Sequence, residues 1–398
     1  MSVHGLLSLG ELERIGAIRL YRGKVISKND IRATPGSYPI YSSSVQNGGL
    51  FGRYGIFMFD EEMITWSVDG GGHFFYRPKH KFSVTNVCGY MRVLSKDIDI
   101  RYLAYALQYL HSKLHFDYTL KAHPSVIRGA YHLEIPSILE QRSIASAIAD
   151  ADDLIATLER LIAKKQAIKQ GMMQQLLTGR TRLPGFTGEW ADIRLGDHVS
   201  YVKTVALSRA QLDTKSPLKY LHYGDIHTRS SVILDSASEE MPRASAKLAA
   251  RAGLLQCGDL VFADASEDPA GVGKSVEIVS TPNTGVVPGL HTIAARFDKS
   301  VLADGFKAYL QFIPSFRDQL LRLAAGTKVL ATTRSYISSI TLTLPGVAEQ
   351  KAIAEALHDS EREIEALRVR LSKAQSIKTG MMQQLLTGRS RLPVEAAS

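Results

Sequence analysis

Two stretches of the chain place apolar residues at alternating four- and three-residue steps, which is the heptad spacing of a coiled coil. The first seam consists of Ile144, Ile148, Ala151, Ile155, Leu158 and Ile162. The same frame in the second stretch gives Ile353, Leu357, Ser360, Ile364, Leu367 and Leu371. Either seam alone would expose an apolar stripe, so we expect the two helices to bury it against each other. The predicted contact between the helices therefore uses Ile148, Ile155, Leu158, Ile162, Leu357, Ile364, Leu367 and Leu371.

The two helices belong to an internal repeat. Residues 140–184 and 349–393 align without a gap at an offset of 209, and 25 of the 45 aligned positions are identical. Two copies are too few for a solenoid and indicate one duplicated unit. We expect an antiparallel pair, because two similar units joined by a domain close a pseudo-twofold only in that way. Ser137 to Glu140 fits a capping box and Gly179 a helix stop, so each helix should form a rod of roughly 60 Å.

The regions before the two helices show the mixed pattern of α/β domains. In the first head, strand-like segments occur at 38–44, 55–59, 62–68, 73–77 and 82–94, and a helix is predicted at 99–114. In the second head, 220–226, 258–264 and 275–280 read as strands and about 304–324 as a helix. The predicted fold class is α/β (α+β), with two globular heads separated by two long helices packed as an antiparallel coiled coil. The predicted domains are 1–136, 137–184, 185–348 and 349–398.

Charge changes this picture only for the first head. The chain carries a net charge of +9, and residues 1–136 contribute 16 Lys and Arg against 11 Asp and Glu. A basic balance favours a polyanion such as nucleic acid. Cys88 and Cys257 are far apart, which fits a reducing compartment. The N-terminus does not read as a signal peptide and no apolar run approaches ~18 residues, so the cytoplasm is the expected location.

Several motifs suggest catalysis but do not complete a site. The segment 268–275, DPAGVGKS, is one glycine short of a phosphate loop, and a strand rather than a helix is predicted after it. The glycines of 68–73 read as a turn between strands. The histidines lack metal-ligand spacing, and no nucleophile–base pair lies at short range. The sequence therefore predicts a chain without catalytic, cofactor or metal residues, and leaves open an NTPase or nuclease that uses the 268–275 loop.

The repeated helix motif resembles that of a known family. The pattern E-Q-(R/K)-x-I-A … G-M-M-Q-Q-L-L-T-G-R-(T/S)-R-L-P, written twice after heads that end in Ile-Pro or Leu-Pro, resembles the specificity subunit of type I restriction–modification enzymes. Segments 38–52, 64–72 and 85–89 also resemble one target-recognition domain of that family. Segments 220–228, 258–267 and 272–274 resemble another.

The resemblance implies a function without catalysis in this chain. Each head would read one half of a bipartite DNA site in the major groove. The helices would set the gap between the half-sites and dock two methyltransferase subunits, which methylate adenine and carry S-adenosylmethionine. Restriction subunits with motor and nuclease activity would bring ATP and Mg. A coiled-coil adaptor that does not read DNA remains the alternative.

Candidate DNA-binding residues are polar or basic groups in the loops of both heads. The amides and hydroxyls of Ser43, Ser44, Gln46 and Asn47 suit base edges, although a solvated turn is an equal alternative. Lys79 and Lys81 suit phosphate, or form a hairpin tip. Lys121, His123 and Arg128 have counterparts in Lys328 and Arg334. The remaining candidates are His222, Tyr223, His227, Arg229 and Lys274.

More apolar residues occur near the ends of the two helices than the contact between the helices requires. Methionine suits an adaptable partner surface, so we assign these positions partly to subunit docking. Packing of the helix pair against the heads is the alternative. The residues are Met172, Met173, Leu176, Met381, Met382 and Leu385.

Overall fold

The computed structural model describes residues 5–69, 73–117, 121–266, 271–323 and 330–392. The chain forms two compact units, one made of Met1–Arg160 with Arg368–Ser398 and the other of Leu161–Leu367. Each unit thus contains one head and a part of each long helix. The domains predicted from sequence kept the helices apart from the heads. The structure groups them differently because each head shares a continuous core with the helix ends beside it.

A six-stranded sheet forms the first head. The strands of this head are β1 (Gly5–Ser8), β2 (Ile18–Arg22), β3 (Tyr38–Tyr41), β4 (Leu50–Tyr54), β5 (Phe59–Ser67), β6 (Phe74–Val84), β7 (Cys88–Val93) and β8 (His132–Ile135). Its helices are α1 (Leu9–Arg14), α2 (Lys28–Ala33), α3 (Ile100–Lys113) and α4 (Pro124–Ala130). The sheet order is β2-β7-β5-β6-β3-β4, and β1 pairs separately with β8. All pairs are antiparallel except β3 with β6.

The helix predicted at 99–114 forms as α3 and covers this sheet. Asp99 caps it by accepting a hydrogen bond from the Tyr102 amide at 2.9 Å. Leu103 and Leu107, four residues apart on one face, are fully buried with Trp66 in the core of the unit. The strand predicted at 55–59 is wrong for residues 55–58, which precede β5 without strand pairing.

Two larger sheets and two short strand pairs form the second head. Its strands are β9 (Ala191–Arg194), β10 (Val199–Val202), β11 (Leu218–Leu221), β12 (Ile233–Asp235), β13 (Arg243–Ala244), β14 (Leu260–Ala263), β15 (Ala265–Ser266), β16 (Ser275–Ser280), β17 (Val286–Pro288), β18 (Thr292–Phe297), β19 (Leu330–Ala331) and β20 (Thr341–Leu344). The larger sheet has the order β10-β18-β14-β16-β12 and the smaller one β13-β11-β17. β9 pairs with β20, as β1 pairs with β8 in the first head.

Helices complete the second unit. They are α6 (Tyr223–Thr228), α7 (Pro314–Leu323) and α8 (Arg334–Ser339), while α5 (Ile138–Leu176) and α9 (Val347–Leu385) are the two long helices. Two sequence predictions are corrected here. Residues 220–226 are not one strand, because α6 begins at Tyr223. The helix expected near 304–324 is a 3-10 helix, Lys307–Phe312, followed by α7, since Pro314 starts a new helix.

The long helices are 39 residues each, and α5 begins at Ile138 as predicted. Within the first unit they are antiparallel. Lys378 Nζ lies 2.6 Å from Asp152 Oδ1, and Arg391 Nε lies 3.6 Å from Glu140 Oε1. Rising numbers along α5 therefore meet falling numbers along α9 and the segment that follows it.

The same arrangement holds within the second unit. Lys165 forms an ion pair with Glu363 at 2.7 Å, and Lys169 forms one with Glu361. Lys169 and Glu361 are the repeat equivalents of Lys378 and Asp152. The predicted antiparallel pairing is confirmed in each unit, and the duplicated positions form the same bridge twice.

Six of the eight predicted contact positions between the long helices are buried. The other two, Ile155 and Leu371, are only half-buried. The buried ones are Ile148, Leu158, Ile162, Leu357, Ile364 and Leu367.

Candidate nucleic-acid interface

The loop between β3 and β4 in the first head is held in one shape by its neighbours. Ser42 N donates to Gly49 O at 2.8 Å, and Ser67 Oγ donates to Ser43 O at 2.5 Å. Asn47 has φ +48°, a left-handed conformation that Asn tolerates better than most residues. Ser44, Gln46 and Asn47 are exposed, and Ser43 is half-buried. The predicted recognition loop therefore presents amide side chains from a fixed backbone.

Arg77 on β6 packs against this loop and donates a hydrogen bond to it. Arg77 is not among the candidates predicted from the sequence. Its guanidinium carbon lies 3.6 Å from the centroid of the Tyr41 ring, and its Nη2 donates to Gly48 O at 2.6 Å. Its Nε donates to Thr65 Oγ1 at 2.9 Å. The residue is only 7% exposed, and this burial lowers the pKa of its guanidinium. No ion pair to Arg77 occurs among the described residues.

The outer end of β5 connects the loop to a second candidate segment. Ser67 bonds to Ser43, as described above, and the neighbouring Trp66 Nε1 donates to Ala122 O at 2.7 Å. Ala122 lies between the candidates Lys121 and His123. The fold therefore brings the 42–49 loop and the 121–123 segment to the same strand end.

Lys79 and Lys81 are both exposed on β6. The hairpin-tip interpretation of these residues is wrong, since both lie inside an 11-residue strand. Lys81 Nζ lies 4.8 Å from the centre of the Phe57 ring, which holds the chain of the lysine along the sheet. Two exposed cations on one strand suit contacts with a phosphate backbone.

Two other cationic side chains of the first head form ion pairs with carboxylates of the same head. Arg128 Nε lies 2.6 Å from Glu13 Oε2, and Lys121 Nζ lies 3.3 Å from Asp69 Oδ1. Lys121 also has φ +48°. His123 precedes α4 as its N-cap residue without a side-chain cap bond. These partners reduce the charge that Arg128 and Lys121 can offer to a ligand.

In the second head, His222 caps α6. Its Nδ1 accepts from Gly224 N at 3.1 Å, and its side chain is largely buried. Burial lowers the pKa of His222, and the nearby Arg209 lowers it further. The ring of Tyr223 lies against His222 and His227, with centroids 4.5 and 6.0 Å away. His222 is thus the N-cap of α6, so β11 ends at Leu221, directly before it.

Three predicted residues of the second head meet at one cleft. His227, Arg229 and Lys274 all line it. Lys274 Nζ donates to His227 O at 2.5 Å, and Arg229 forms a two-bond ion pair with Glu239 at 2.6 and 2.7 Å. The sequence placed His227 and Arg229 beside one segment and Lys274 in the 268–275 loop, and the fold brings them together at the end of α6 and the start of β16.

The counterparts of the 121–128 segment lie elsewhere in the second head. Arg334 lies 5.4 Å from the Tyr201 ring centre, and Tyr201 OH donates to Arg334 O at 2.8 Å. Lys328 lies outside the described residues, as do the glycines of 70–72 and residues 267–270 of the near-miss phosphate loop.

The proposed docking residues pack against the cores of the heads. Leu176 and Leu385 are 5% and 8% exposed, so the docking prediction is corrected for these two, because a buried side chain offers no surface to a partner. The methionines are partly buried beside the same cores. Docking stays a prediction for Met172, Met173, Met381 and Met382.

Within the described ranges, no group of three or more His, Cys, Asp or Glu is placed to hold a metal ion. The helices described here include none with the length and apolar character needed to cross a membrane.

Comparison with known proteins agrees with this architecture. The sequence model of the type I restriction modification DNA specificity domain matches residues 9–170, which cover the first head and most of α5. The type I restriction enzyme MjaVIII specificity subunit of Methanocaldococcus jannaschii is 24% identical, with 96% of this chain and 93% of the relative aligned. The chain is therefore similar to type I specificity subunits along nearly its whole length.

Other type I specificity subunits share shorter regions with this chain. The type I restriction enzyme MpnII specificity subunit of Mycoplasma pneumoniae is 34% identical over 131 residues. That alignment covers 32% of this chain, and the chain spans only 39% of that relative. The first Mycoplasma pneumoniae relatives are likewise spanned over 41 to 47% of their length.

A solved structure shows the same fold. The S subunit of a type I restriction–modification system from M. genitalium superposes with a TM-score of 0.62 at 14% identity, covering 96% of this chain and 95% of that one. The predicted mixed α/β fold is confirmed.

Proposed function

We propose that this chain selects the DNA sequence for a type I restriction–modification complex. Each head reads one half of a bipartite site, and the two long helices set the gap between the halves. The helices also dock two methyltransferase subunits, which carry S-adenosylmethionine and methylate adenine. Restriction subunits that use ATP and Mg join for cleavage. The chain itself contributes recognition and no catalysis.

The observation that carries this proposal is a repeated frame bearing two unlike heads. The bridges Lys169–Glu361 and Lys378–Asp152 repeat at the offset of 209, whereas one head has a six-stranded sheet and the other has separate five- and three-stranded sheets. An asymmetric target with two parts requires two different readers on a common frame. A plain adaptor has no need for this combination.

The competing NTPase hypothesis lacks the local structure that it needs. A phosphate loop leads into a helix whose N-terminal amides bind the phosphates. Here β16 begins at Ser275, directly after Lys274, and Lys274 Nζ donates to a main-chain carbonyl. We therefore propose no nucleotide hydrolysis.

The proposal is tested by mapping methylated adenines in a host without other modification systems. The host carries the partner subunits with or without this chain. We expect a two-part motif with a fixed gap that requires the chain. Methylation that does not depend on the chain would contradict the proposal.

A second measurement separates DNA reading from an adaptor role. Changing Lys79 and Lys81 to Glu should weaken DNA binding and lower the salt slope of the binding constant by ~0.9 per lost phosphate contact. The control changes the exposed Lys164 and Lys373 on the helices to Glu, with the same change in net charge. Equal effects of the two pairs would argue against a DNA face on β6.

A further inference from the structure

A cleft of about 450 Å³ opens in the second head between α6 and the start of β16. Its walls include Arg229, Ser266, Lys274, Ser275 and Gln311. No carboxylate occurs among the described residues that line it. The cleft is therefore walled by donors and by cationic side chains.

Two buried polar atoms of this wall lack a hydrogen-bond partner within the described part of the chain. Ser275 is 2% exposed, and its Oγ makes no hydrogen bond. Arg229 Nε is equally buried and unpaired. Buried polar groups are normally satisfied, so two orphaned donors in one cleft point to a ligand that accepts hydrogen bonds.

Among the described residues, the neighbouring polar groups are bonded elsewhere. Gln311 bonds to both Ser275 N and Ser275 O, at 3.3 and 2.9 Å, which fixes the backbone and leaves the hydroxyl free. Arg229 uses its two terminal nitrogens on Glu239 and on Ile233 O, so only Nε is unused.

Lys274 supplies a positive charge that Glu239 does not neutralise. Its ammonium has three donors, and one of them is used on His227 O. No described carboxylate lies within ion-pair distance of Lys274. Partial burial lowers the pKa of Lys274, a cost that a bound anion would offset.

We propose that this cleft is an oxyanion site that takes one phosphate group, with Lys274, Ser275 Oγ and Arg229 Nε as its donors. Resting on the proposed function, the inference assigns the phosphate to the backbone of the DNA held by the second head. The contact positions the head on DNA and carries no base preference. A free phosphate ion or a nucleotide has the same chemistry and is distinguished by experiment.

The first experiment measures binding of the full chain to DNA against salt concentration for Lys274→Met and Ser275→Ala. We expect Lys274→Met to reduce the slope by ~0.9, and both variants to weaken binding by the same factor on preferred and unrelated sequences. Lys247→Met, an exposed lysine of the same head, is the matched control. Wild-type binding that is sequence-specific, with unchanged slopes in both variants, would overturn the assignment of the cleft to the DNA backbone and leave the proposed function intact.

The second experiment measures the melting temperature with inorganic phosphate against chloride at constant ionic strength. A rise in the wild type that disappears in both variants shows that the cleft binds phosphate, even if the chain binds no DNA. A salt-slope effect without this rise assigns the site to the DNA backbone, and a rise without the slope effect assigns it to a free phosphate. Ser275→Ala removes an orphaned hydroxyl, so it should fold as well as the wild type. Neither effect in either variant would refute the proposal.

Discussion

Gln141 and Gln350, which hold the same place in the two copies of the repeat, make the same three hydrogen bonds. Gln141 Nε2 donates to Asp97 O and Pro136 O, each at 2.8 Å. Its Oε1 accepts from Asp99 N at 2.8 Å. The side chain is fully buried and joins the start of α5 to the segment that leads into α3.

Gln350 repeats this pattern in the second unit. Its Nε2 donates to Val301 O and Pro345 O at 2.9 Å, and its Oε1 accepts from Ala303 N at 2.9 Å. The heads differ in their sheets, yet each offers the same carbonyl and amide groups to the helix. The duplicated glutamine therefore fixes how each helix leaves its head.

Replacing either glutamine by leucine should destabilise the protein by similar amounts. Gln141→Leu or Gln350→Leu removes the partner of one amide and two carbonyls, and each of these groups that stays buried costs ~1–3 kcal/mol. We expect the free energy of unfolding to fall by about 2–4 kcal/mol, measured by denaturant titration. Gln166→Leu, at an exposed helix position, is the control. A loss no larger than that of the control would refute the role of this side chain.

The repeat also forms one ion pair twice with unequal geometry. Arg182 contacts both oxygens of Glu349 at 2.5 Å, and the Glu349 side chain is 4% exposed. The equivalent pair, Arg391 with Glu140, has one contact at 3.6 Å, and Arg391 is 74% exposed. Breaking a buried pair is costly, whereas an exposed pair contributes little.

Glu349→Ala should therefore lower the free energy of unfolding by about 2–4 kcal/mol, and Glu140→Ala by about 1 kcal/mol or less. The two substitutions are matched controls for each other, because the residues share type, repeat position and place in the first helical turn. Urea titration of both variants at one salt concentration measures the difference. Equal losses would show that burial of the Arg182 pair has no energetic weight.

Arg77→Met should weaken the base preference of the first head more than it weakens the fold. The substitution removes the bond to Gly48 O and so frees the loop that carries Gln46 and Asn47. A loss of one well-placed bidentate base contact costs ~1–3 kcal/mol of discrimination, or roughly a tenfold loss in the ratio of specific to unrelated DNA binding.

Competition binding with preferred and scrambled half-sites measures that ratio. Arg92→Met is the control, since Arg92 pairs with Glu61 on the same sheet and its side chain is 39% exposed. Arg77→Lys keeps the charge but loses the planar group that stacks on Tyr41, so it should not restore discrimination. An unchanged ratio in Arg77→Met would remove Arg77 from the recognition loop.

The parts of this fold that sequence predicted are those with local causes. The start of α5 at Ile138 follows from Ser137, whose Oγ accepts from Glu140 N at 3.4 Å. The seam follows from the heptad spacing, and the antiparallel direction from the duplication. Each of these signals lies within a few residues of the element that it specifies.

The support of the recognition loop had no such signal. The register between β5 and β6 shifts between Glu61 and Met63, whose partners are His80 and Arg77, so β6 carries one extra residue at this point. Pairing is regular from Phe74 to Arg77, before that shift, so Arg77 lies on the face opposite to Phe74. It is buried there because the loop between β3 and β4 covers that face, which strand alternation does not reveal. The cleft of the second head was equally hidden, because Arg229 and Ser275 are far apart in sequence and meet only through sheet topology.

The first head should lose stability as pH falls below neutrality. Burial lowers the pKa of His73, and burial together with His73 lowers the pKa of His111. The unfolded chain then binds protons more readily than the native one, with a histidine pKa of ~6.5. The contribution of these two histidines to stability is fully present above the unfolded-state pKa. It is lost as pH falls toward the lower pKa values of the native state.

Thermal melting of the full chain between about pH 7.5 and about pH 5.5 measures this effect around the unfolded-state pKa. His111→Gln should flatten the pH dependence of the melting temperature of the first unit. His115→Gln, an exposed histidine just beyond α3, should leave that dependence unchanged. A pH profile of His111→Gln that matches the wild type would contradict the assignment.

The proposed spacer role predicts that helix length sets the half-site gap. Four residues inserted after Lys164 extend α5 by about 6 Å, which corresponds to roughly two base pairs at ~3.4 Å each. An insertion of four shifts the heptad locally without ending the helix, so adenine methylation mapping should show a longer gap and the same bases in each half. A double substitution of the exposed Arg160 and Lys164 by Ala keeps the length and should keep the gap. Changed base preference with an unchanged gap would assign these helices to a role other than spacing.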